Sequence, residues 1–424
     1  MTNGDLGFHD ADSGYATHNF HAFPAKFPPQ LPRAFIEALT QPGDVVLDPM
    51  AGSGTTLVEA YLAGRAAVGV DIDPLALLLC RVKTRPLPVA ALARTGDAIL
   101  DDATLRLMRP ERLDAALAAR FDDRSRAFID YWFAPQTQRE LMALLLAIET
   151  LAAPEQVDFF RLAFSAIIIT KSGGVSRARD LAHTRPHRVD DKPPRAALEQ
   201  FARRVKQNLR SLADLNAQSP PAPPPRPQER AVTVLRGDAR ALPLSDNGVD
   251  LIVTSPPYAA NAIDYMRAHK FSLAWFGHPV DDLSELRGRY VGGERIAGTE
   301  FVALPPYAQG IVDRLATLDE KKASVLHKYY SEMSAALGEM YRVLKSDGAA
   351  VVVVGTSMMR GIDVETQNCL ADIAQVTFGF KLAGIGVRAL DRDRRMMPAR
   401  ANGRNPGIEG RMHCEHVIGL YKPA

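Results

Sequence analysis

The chain passes from strand to helix within Val45-Val-Leu-Asp-Pro-Met-Ala-Gly-Ser-Gly-Thr-Thr56. Its apolar start predicts a short buried strand that ends at Asp48, and residues 57–63 continue as a helix. The glycines of the turn let the backbone approach a ligand closely, and the N-terminus of the helix favours a negative group. The turn lacks the lysine of a P-loop. The stretch therefore predicts the first unit of a nucleotide-type α/β fold.

A second strand is predicted at residues 66–70, and it leads into Asp71-Ile-Asp-Pro74. An acidic residue at the end of the second strand usually binds ribose hydroxyls, and Asp71 suits that role. Asp73, directly before a proline, is expected to cap the next helix. The two units together predict an adenosine-containing cofactor, and on these residues NAD and S-adenosylmethionine are both open.

The strand pattern resumes at residues 232–236, which lead into Gly237-Asp-Ala239. A carboxylate at this point lies at the same edge of a parallel sheet, where it can accept a hydrogen bond from an adenine amino group. The next predicted strand, residues 250–253, leads into Thr254-Ser-Pro-Pro-Tyr258.

Residues 254–258 form a rigid tip after that strand. Proline has a fixed φ and no N–H, so the tip holds its carbonyls in place without a donor nearby. A serine oxygen, a fixed carbonyl and an aromatic face then converge at the end of a strand, where open α/β sheets bind ligands. Such a tip suits a flat molecule that carries an NH2 group. The alternative is an ordinary proline-rich turn.

A long segment separates the two halves of the strand pattern. Its spacing predicts helices at residues 124–151, 157–170 and 196–215 and a stiff polyproline linker at 220–227. Between residues 161 and 231, 14 Lys or Arg stand against 6 Asp or Glu. A solvated helical face and a surface for phosphate contact both explain this excess. We expect a catalytic domain whose N-terminal part spans 1–90 and whose C-terminal part spans 232–424, with a helical, basic insertion over 91–231.

The two ends of the chain also carry predictable elements. We expect residues 18–32 to lie against the fold as an ordered extended segment, with a helix at 33–40. In the C-terminal part we expect helices at 261–276 and 321–344, a turn at 342–348 and a strand at 349–355. Residues 380–387 and 416–421 are expected to pair as an antiparallel hairpin. Arg-rich loops are expected at 287–299 and 388–411.

The composition excludes several classes of protein. A net charge of +2 over 424 residues means that any nucleic-acid surface must be local. The widely spaced Cys80, Cys369 and Cys414 fit a reducing cytoplasm and no disulfide framework. His413 and His416 lack a second pair of metal ligands, so we expect no metal site there. Residues 1–12 are polar and acidic and have no signal-peptide core, and the longest apolar runs, near Ile167 and Val351, are too short to cross a bilayer, so we expect a cytoplasmic protein without a membrane partner.

These motifs, in this order, resemble those of the amino-group DNA methyltransferases, which methylate cytosine N4 or adenine N6. Residues 48–56 are similar to the family's D-P-F-x-G-S-G-T cofactor motif, with Met50 in place of Phe. Gly69-Val-Asp-Ile-Asp73 is similar to the ribose motif, Gly237-Asp-Ala239 to the adenine-side motif, and Ser255-Pro-Pro-Tyr258 to the catalytic (D/N/S)-P-P-(Y/F) motif. The proline-rich residues 23–32 resemble the element that closes over the methionine end of the cofactor.

The resemblance implies a Rossmann-like S-adenosylmethionine-dependent methyltransferase sheet with a large, mainly helical insertion. A dehydrogenase has no reason to carry Ser-Pro-Pro-Tyr, so S-adenosylmethionine is preferred to NAD. The implied catalytic residues are Ser255, Pro256, Pro257 and Tyr258. The implied cofactor residues are Lys26, Phe27, Asp48, Pro49, Met50, Ala51, Gly52, Ser53, Gly54, Thr55, Thr56, Asp71, Ile72, Asp238 and Ala239. From the basic stretches we expect DNA contacts at Arg177, Arg179, Arg267, Lys270, Arg394 and Arg395.

The chemistry of an exocyclic amine explains the catalytic motif. Conjugation with the ring delocalises the lone pair, and hydrogen bonds accepted by the Ser255 hydroxyl and the Pro256 carbonyl return it to nitrogen. Tyr258 would stack on a base extruded from the duplex. The methyl then transfers directly, without a covalent intermediate. Methylation at cytosine C5 needs a nucleophilic cysteine after a proline, and no cysteine of this chain follows one.

The target base and the role of the insertion stay open. In this family a serine in the first motif position is more often associated with cytosine N4 and aspartate with adenine N6, so N4-cytosine is favoured and N6-adenine is the alternative. A tRNA or rRNA base methyltransferase and an inactive DNA-binding paralogue are further alternatives. The resemblance implies duplex DNA as partner and a restriction-modification system with a cognate endonuclease as setting. The insertion either recognises the target sequence or only stabilises the fold.

Overall fold

The computed structural model of the protein describes residues 6–24, 26–170, 174–179, 181, 186–191, 193–219, 232–259, 264–293, 295–390 and 413–424. The predicted polyproline linker at 220–227 lies outside these residues. The strands are β1 (Val45–Asp48), β2 (Ala66–Asp71), β3 (Ala178–Arg179), β4 (His187–Arg188), β5 (Val232–Arg236), β6 (Val249–Thr254), β7 (Leu344–Gly355), β8 (Met358–Met359), β9 (Ile362–Asp363), β10 (Lys381–Ala389) and β11 (Cys414–Tyr421).

Helices cover the sheet and form most of the insertion. They are α1 (Gln30–Leu39), α2 (Thr55–Leu62), α3 (Pro74–Lys83), α4 (Val89–Leu107), α5 (Pro110–Arg120), α6 (Asp123–Trp132), α7 (Pro135–Glu149), α8 (Pro154–Ile168), α9 (Ala197–Gln218), α10 (Met266–Leu273), α11 (Val280–Gly288), α12 (Pro306–Ala316), α13 (Glu320–Val343) and α14 (Thr366–Phe378).

The main sheet has seven strands in the order β10-β11-β7-β6-β1-β2-β5. Strands β5, β2, β1, β6 and β7 run parallel, and β11 pairs antiparallel with both β7 and β10. The chain builds outward from β1 to β2 and β5, then returns to the other side of β1 with β6. Open α/β sheets bind ligands at such a reversal, beyond the carboxyl ends of the strands. The predicted fold class and the C-terminal hairpin are confirmed.

Several predicted boundaries are wrong for local physical reasons. The helix expected at 124–151 is broken into α6 and α7, because Pro135 has no N–H and holds Ala134 in an extended conformation with ψ 149°. The helix expected at 261–276 is described only as Met266–Leu273, and residues 261–263 lie outside the described chain. The turn expected at 342–348 lies partly within β7, which follows α13 directly at Leu344: the register of β7 against β6 shifts between Leu344 and Ala349, and Asp347 has a φ of +62°.

Three groups of buried side chains form the core. One covers each face of the sheet, and the third fills the insertion together with α3 and α10. Trp275, which follows α10 and is fully buried, contacts the ring of Phe133 edge-on at 5.5 Å and lies 6.1 Å from Phe164. The insertion therefore shares its hydrophobic core with the C-terminal half of the chain. In the described residues, none of the helices has the length and apolar character that a membrane span requires.

Gly69 sets the distance between β2 and α2. A Cβ atom at this position would lie 2.4 Å from the Leu57 Cδ1 atom and 3.3 Å from the Ala51 Cβ atom. Leu57 is fully buried and cannot move into solvent. The helix that follows the Gly-rich turn can therefore pack this closely only against glycine.

Replacing Gly69 with alanine tests this close contact. We expect Gly69→Ala to lower the free energy of unfolding by about 1–3 kcal/mol, because an added methyl group overpacks a filled core. Gly288→Ala is the matched control, since nothing lies within 4 Å of a Cβ atom there. Urea unfolding of both variants is the measurement. Equal stabilities would contradict the account of the β2–α2 contact.

Candidate active site

Asp48 and Thr254 end the two strands that flank the reversal of the sheet. The Thr254 hydroxyl donates a hydrogen bond of 2.7 Å to Asp48 Oδ1, and both side chains are buried. In parallel, the Thr56 hydroxyl of α2 donates to the Val253 carbonyl at 3.2 Å. Burial raises the pKa of Asp48 to about 6, although the hydrogen bonds from Thr254 and the Met50 N–H oppose the rise. Hydrogen bonds therefore join the Gly-rich turn to the strand end from which the Ser-Pro-Pro-Tyr tip begins.

Asp71 braces the Gly-rich turn from the neighbouring strand. Its Oδ2 atom accepts the Gly52 N–H at 2.8 Å, and its Oδ1 atom accepts the Asp73 N–H at 2.9 Å. Burial, and then the charge of Asp73, raise the pKa of Asp71 to about 7. A carboxylate oxygen can accept two hydrogen bonds, so each oxygen can still accept one from a ligand hydroxyl.

Gly54 ends the turn in a conformation that favours glycine, with φ +73° directly before α2. A Cβ atom here would also lie 3.1 Å from the Cys80 Sγ atom and 3.3 Å from the Cys80 Cα atom. The neighbouring Ser53 carbonyl accepts a hydrogen bond of 2.5 Å from the buried Lys83 ammonium group. The predicted cofactor residues Pro49, Met50, Ala51, Thr55 and Thr56 complete this turn and the start of α2.

Asp73 caps α3 as predicted, accepting the Leu75 N–H at 2.8 Å. Its other oxygen accepts His269 Nδ1–H at 2.6 Å and the Tyr290 hydroxyl at 2.7 Å. Burial opposes ionisation of Asp73, but His269 and these hydrogen bonds hold its pKa below the ordinary value. No local signal in the sequence points to His269 or Tyr290, which lie about 200 positions away.

The N-terminal segment lies against the Gly-rich turn, which confirms that it is ordered. The Phe23 ring is 3.5 Å from the position of a Cβ atom on Gly52, and it stacks on Tyr265 with ring centroids 4.9 Å apart. Lys26 donates to the His18 carbonyl at 2.7 Å. Phe27 is 7% exposed and packs in a core on one face of the sheet, so it presents little surface to a cofactor.

Asp238 lies at the end of β5, at the edge of the sheet, and Ala239 beside it is buried. Arg240 binds this carboxylate through two nitrogens, Nε at 2.9 Å and Nη2 at 2.7 Å. Burial opposes ionisation, yet Arg240 holds the pKa of Asp238 below its ordinary value. Arg240 also contacts Glu332 at 3.1 Å. The carboxylate expected to meet an adenine amino group is therefore already engaged by a cation.

The Ser255 hydroxyl donates a hydrogen bond of 3.0 Å to the Val353 carbonyl of β7. A hydroxyl that donates there keeps lone pairs that can accept. Pro256 is buried, and Ser255 and Pro257 are half-buried. Tyr258 is 6% exposed and donates its hydroxyl to Glu415 at 2.8 Å, while Glu415 pairs with Arg388.

The cysteine thiols are poorly suited to nucleophilic attack. Burial raises the pKa of the Cys80 thiol far above its ordinary value and that of Cys369 to about 12. Burial also raises the pKa of Cys414. Because the thiolate is the reactive form, these thiols give no support to covalent attack on a cytosine ring.

The predicted DNA-binding residues are engaged within the protein. Arg179 donates to the Ser176 and Ala178 carbonyls at 3.2 and 3.0 Å, and Arg177 Nε lies 4.0 Å from Asp190. Arg267 pairs with Asp264 at 2.7 Å, and the Lys270 ammonium group lies 5.2 Å from the centre of the Phe128 ring. Arg394 and Arg395 lie outside the described residues. The Arg177 N–H donates to the Trp132 carbonyl at 2.8 Å, and the Trp132 ring lies 6.5 Å from Phe128, so Arg177 and Lys270 lie beside the same part of α6.

The strand order, the reversal at β1 and the Gly-rich turn define a Rossmann-like methyltransferase. A family model described as DNA methylase, of the N6/N4 type, matches residues 9–78 and 249–385. Type II methyltransferase M.MvaI of Kocuria varians is 26% identical over 393 residues, which cover 87% of this chain and 83% of the relative. Type II methyltransferase M.BsoBI of Geobacillus stearothermophilus is 22% identical, covering 89% and 81%.

A solved S-adenosylmethionine-dependent methyltransferase from Methanosarcina mazei covers 92% of this chain and 97% of its own, at 10% identity and a TM-score of 0.32, too distant to place any residue. The family model and the two relatives support an amino-methyltransferase of the N6/N4 DNA methylase type, a class whose cofactor is S-adenosylmethionine.

The raised pKa of Asp48 makes stability depend on pH. An unfolded aspartate has a pKa of about 3.9, so the folded protein holds this proton to higher pH and loses stability as pH rises through about 6. Asp48→Asn does not titrate and still accepts from Thr254. We expect the unfolding free energy of the variant relative to the wild type to rise by roughly 2 kcal/mol between pH 4 and pH 7. Urea unfolding across this range measures it, and a difference that is independent of pH would contradict a costly buried charge.

Proposed function

We propose that the protein transfers the methyl group of S-adenosylmethionine to the exocyclic amine of a flipped base in a specific duplex DNA sequence, and that this base is cytosine, methylated at N4. The match to the N6/N4 DNA methylase family model supports the reaction class. The observation that carries the proposal is the Ser255 hydroxyl, whose proton goes to the Val353 carbonyl.

A serine hydroxyl that donates its proton to the Val353 carbonyl can act toward a ligand amine only as a hydrogen-bond acceptor. An amine conjugated to a ring is a poor nucleophile, because its lone pair is shared with the ring. Hydrogen bonds accepted by Ser255 Oγ and the Pro256 carbonyl would hold the two N–H bonds out of the ring plane and return the lone pair to nitrogen. S-adenosylmethionine supplies an electrophilic methyl group to this nitrogen. Catalysis then comes from positioning and from fixed dipoles.

The residues at the strand ends fit this cofactor. Asp71 retains one free acceptor position on each carboxylate oxygen, as two ribose hydroxyls would require. The Gly52 and Gly54 backbone can approach a ligand because neither residue carries a Cβ atom. We propose that residues 49–56, Asp71 and Ile72 hold the cofactor. For Asp238 we propose a role shared with Arg240, since the pair stands together at the adenine side.

Tyr258 is proposed to stack on the extruded base. Its ring is only 6% exposed, so entry of a base requires the surrounding side chains to uncover one face of the ring. The hydrogen bond to Glu415 fixes the hydroxyl end of Tyr258 during that movement.

The serine in the first motif position supports cytosine over adenine, because the family more often pairs this serine with N4 methylation. N6-adenine methylation is the alternative, and the same geometry serves it. The Type II names of the relatives support a restriction-modification setting with a cognate endonuclease, and the three free cysteines support a cytoplasmic location.

Incubation of mixed duplex DNA with labelled S-adenosylmethionine, followed by nucleoside mass spectrometry, tests the proposal. We expect N4-methylcytosine. N6-methyladenine selects the alternative base, and label in tRNA but not in DNA overturns the substrate class. Binding of cofactor with no transfer to either nucleic acid would identify an inactive paralogue.

Two substitutions of Ser255 test whether this residue acts as a hydrogen-bond acceptor in the reaction or only packs in the fold. Ser255→Ala removes the acceptor, and we expect kcat to fall by about 10²–10³-fold, with an unchanged dissociation constant for S-adenosylmethionine. Ser255→Asn offers an N–H to Val353 and an oxygen to the amine, so it should retain more than about a tenth of the activity. Single-turnover methylation of duplex DNA is the measurement. Full activity of Ser255→Ala would remove Ser255 from the reaction.

A further inference from the structure

A cavity of about 420 Å³ lies between the N-terminal segment and the insertion. Its walls come from residues around His21 and Phe23, from the end of α8, and from the first half of α9. This volume falls within the range of small-ligand sites. Of the cofactor residues predicted from the sequence, only Lys26 is among the described residues that line it.

The walls of this cavity are strongly basic. Lys26, Arg195, Arg203 and Arg204 line it, and within the described part of the chain no carboxylate does. Arg203 pairs with Glu199, its neighbour one turn earlier on α9. Gln200 and Gln207 add further polar groups. The arrangement concentrates positive charge in a concave site that lacks a counter-charge of its own.

Among these four cations, Arg204 has the strongest reason to bind an anion. It is half-buried, burial lowers its pKa, and among the described residues it makes no ion pair. A partly buried cation without a partner is unfavourable, and a bound anion offsets the cost. Guanidinium groups bind phosphate oxygens through two parallel N–H groups.

The cavity does not match the amino-acid end of the cofactor. That end carries one ammonium and one carboxylate group and has no net charge, whereas four cations line this wall. A nucleic-acid strand carries one negative charge at every phosphate. The cavity also adjoins the Gly-rich turn, because the Phe23 ring in its wall lies 3.5 Å from the position of a Cβ atom on Gly52.

We propose that this cavity binds a backbone phosphate of the DNA substrate, so that the insertion contacts the duplex through Arg204 and Arg195. The inference rests on the proposed function, since it takes duplex DNA as the substrate. In this proposal Arg204 and Arg195, and not Arg177 and Arg179, contact the phosphate, because the side chains of Arg177 and Arg179 contact other groups of the protein.

Binding of the wild-type protein and of Arg204→Gln and Arg195→Gln to duplex DNA at increasing salt concentration tests the proposal. Each variant should bind about tenfold more weakly, equally across sequences, and the slope of log affinity against log salt should fall in magnitude by about 1. Lys206→Gln is the matched control, because this exposed lysine of α9 does not line the cavity and lies about 200° around the helix from Arg204. Its slope should equal that of the wild type, and thermal unfolding confirms that each variant is folded.

Duplexes with one phosphate replaced by a neutral methylphosphonate identify the DNA strand as the ligand. One position should weaken wild-type binding about as much as Arg204→Gln does, and should cost Arg204→Gln nothing further. Unchanged salt slopes in Arg204→Gln and Arg195→Gln, or the absence of any such position, overturn the phosphate site. Weaker S-adenosylmethionine binding by Arg204→Gln with normal DNA binding overturns it in favour of the cofactor. Methylation of DNA by the wild-type protein is measured separately, so the proposed function can stand when this inference fails.

Discussion

A buried hydrogen bond from the Thr254 hydroxyl to the Asp48 carboxylate joins the two strands at which the sheet reverses direction. The residues that follow Asp48 form the Gly-rich turn, and those that follow Thr254 form the Ser-Pro-Pro-Tyr tip. The second contact, from Thr56 to the Val253 carbonyl, runs beside the first. Because both contacts are buried, loss of either donor leaves an acceptor without water to replace it. The Gly-rich turn and the Ser-Pro-Pro-Tyr tip therefore hold a fixed relative position.

Asp48, Asp71 and Asp73 lie at or just after the ends of β1 and β2, and their surroundings shift their pKa values in different directions. Burial raises the pKa values of Asp48 and Asp71, whereas His269 and Tyr290 keep the pKa of Asp73 low. Asp71 both braces the Gly52 N–H and retains acceptor capacity toward a ligand. These carboxylates thus hold backbone and neighbouring side chains in place, and Asp71 keeps acceptor positions that a ligand could use.

Local patterns in the sequence predicted the strands, the Gly-rich turn, the Asp73 cap and the closing hairpin, because each depends on neighbouring residues. The partners of the site residues were not predictable. His269 bonds to Asp73 and Glu415 to Tyr258 across more than 150 positions, and such pairs leave no periodic signal. The basic excess of the insertion was visible, but which of its arginines bind other groups of the described chain, as Arg177 and Arg179 do, could not be read from local patterns.

The most direct measurement of the central claim is the rate of methyl transfer by Thr254→Val, which keeps the shape of the side chain and removes only the donor to Asp48. If this hydrogen bond positions the tip against the cofactor turn, single-turnover transfer to duplex DNA falls at least about tenfold, while the dissociation constant for S-adenosylmethionine changes less than about twofold. An unchanged transfer rate in a folded Thr254→Val protein would contradict the account.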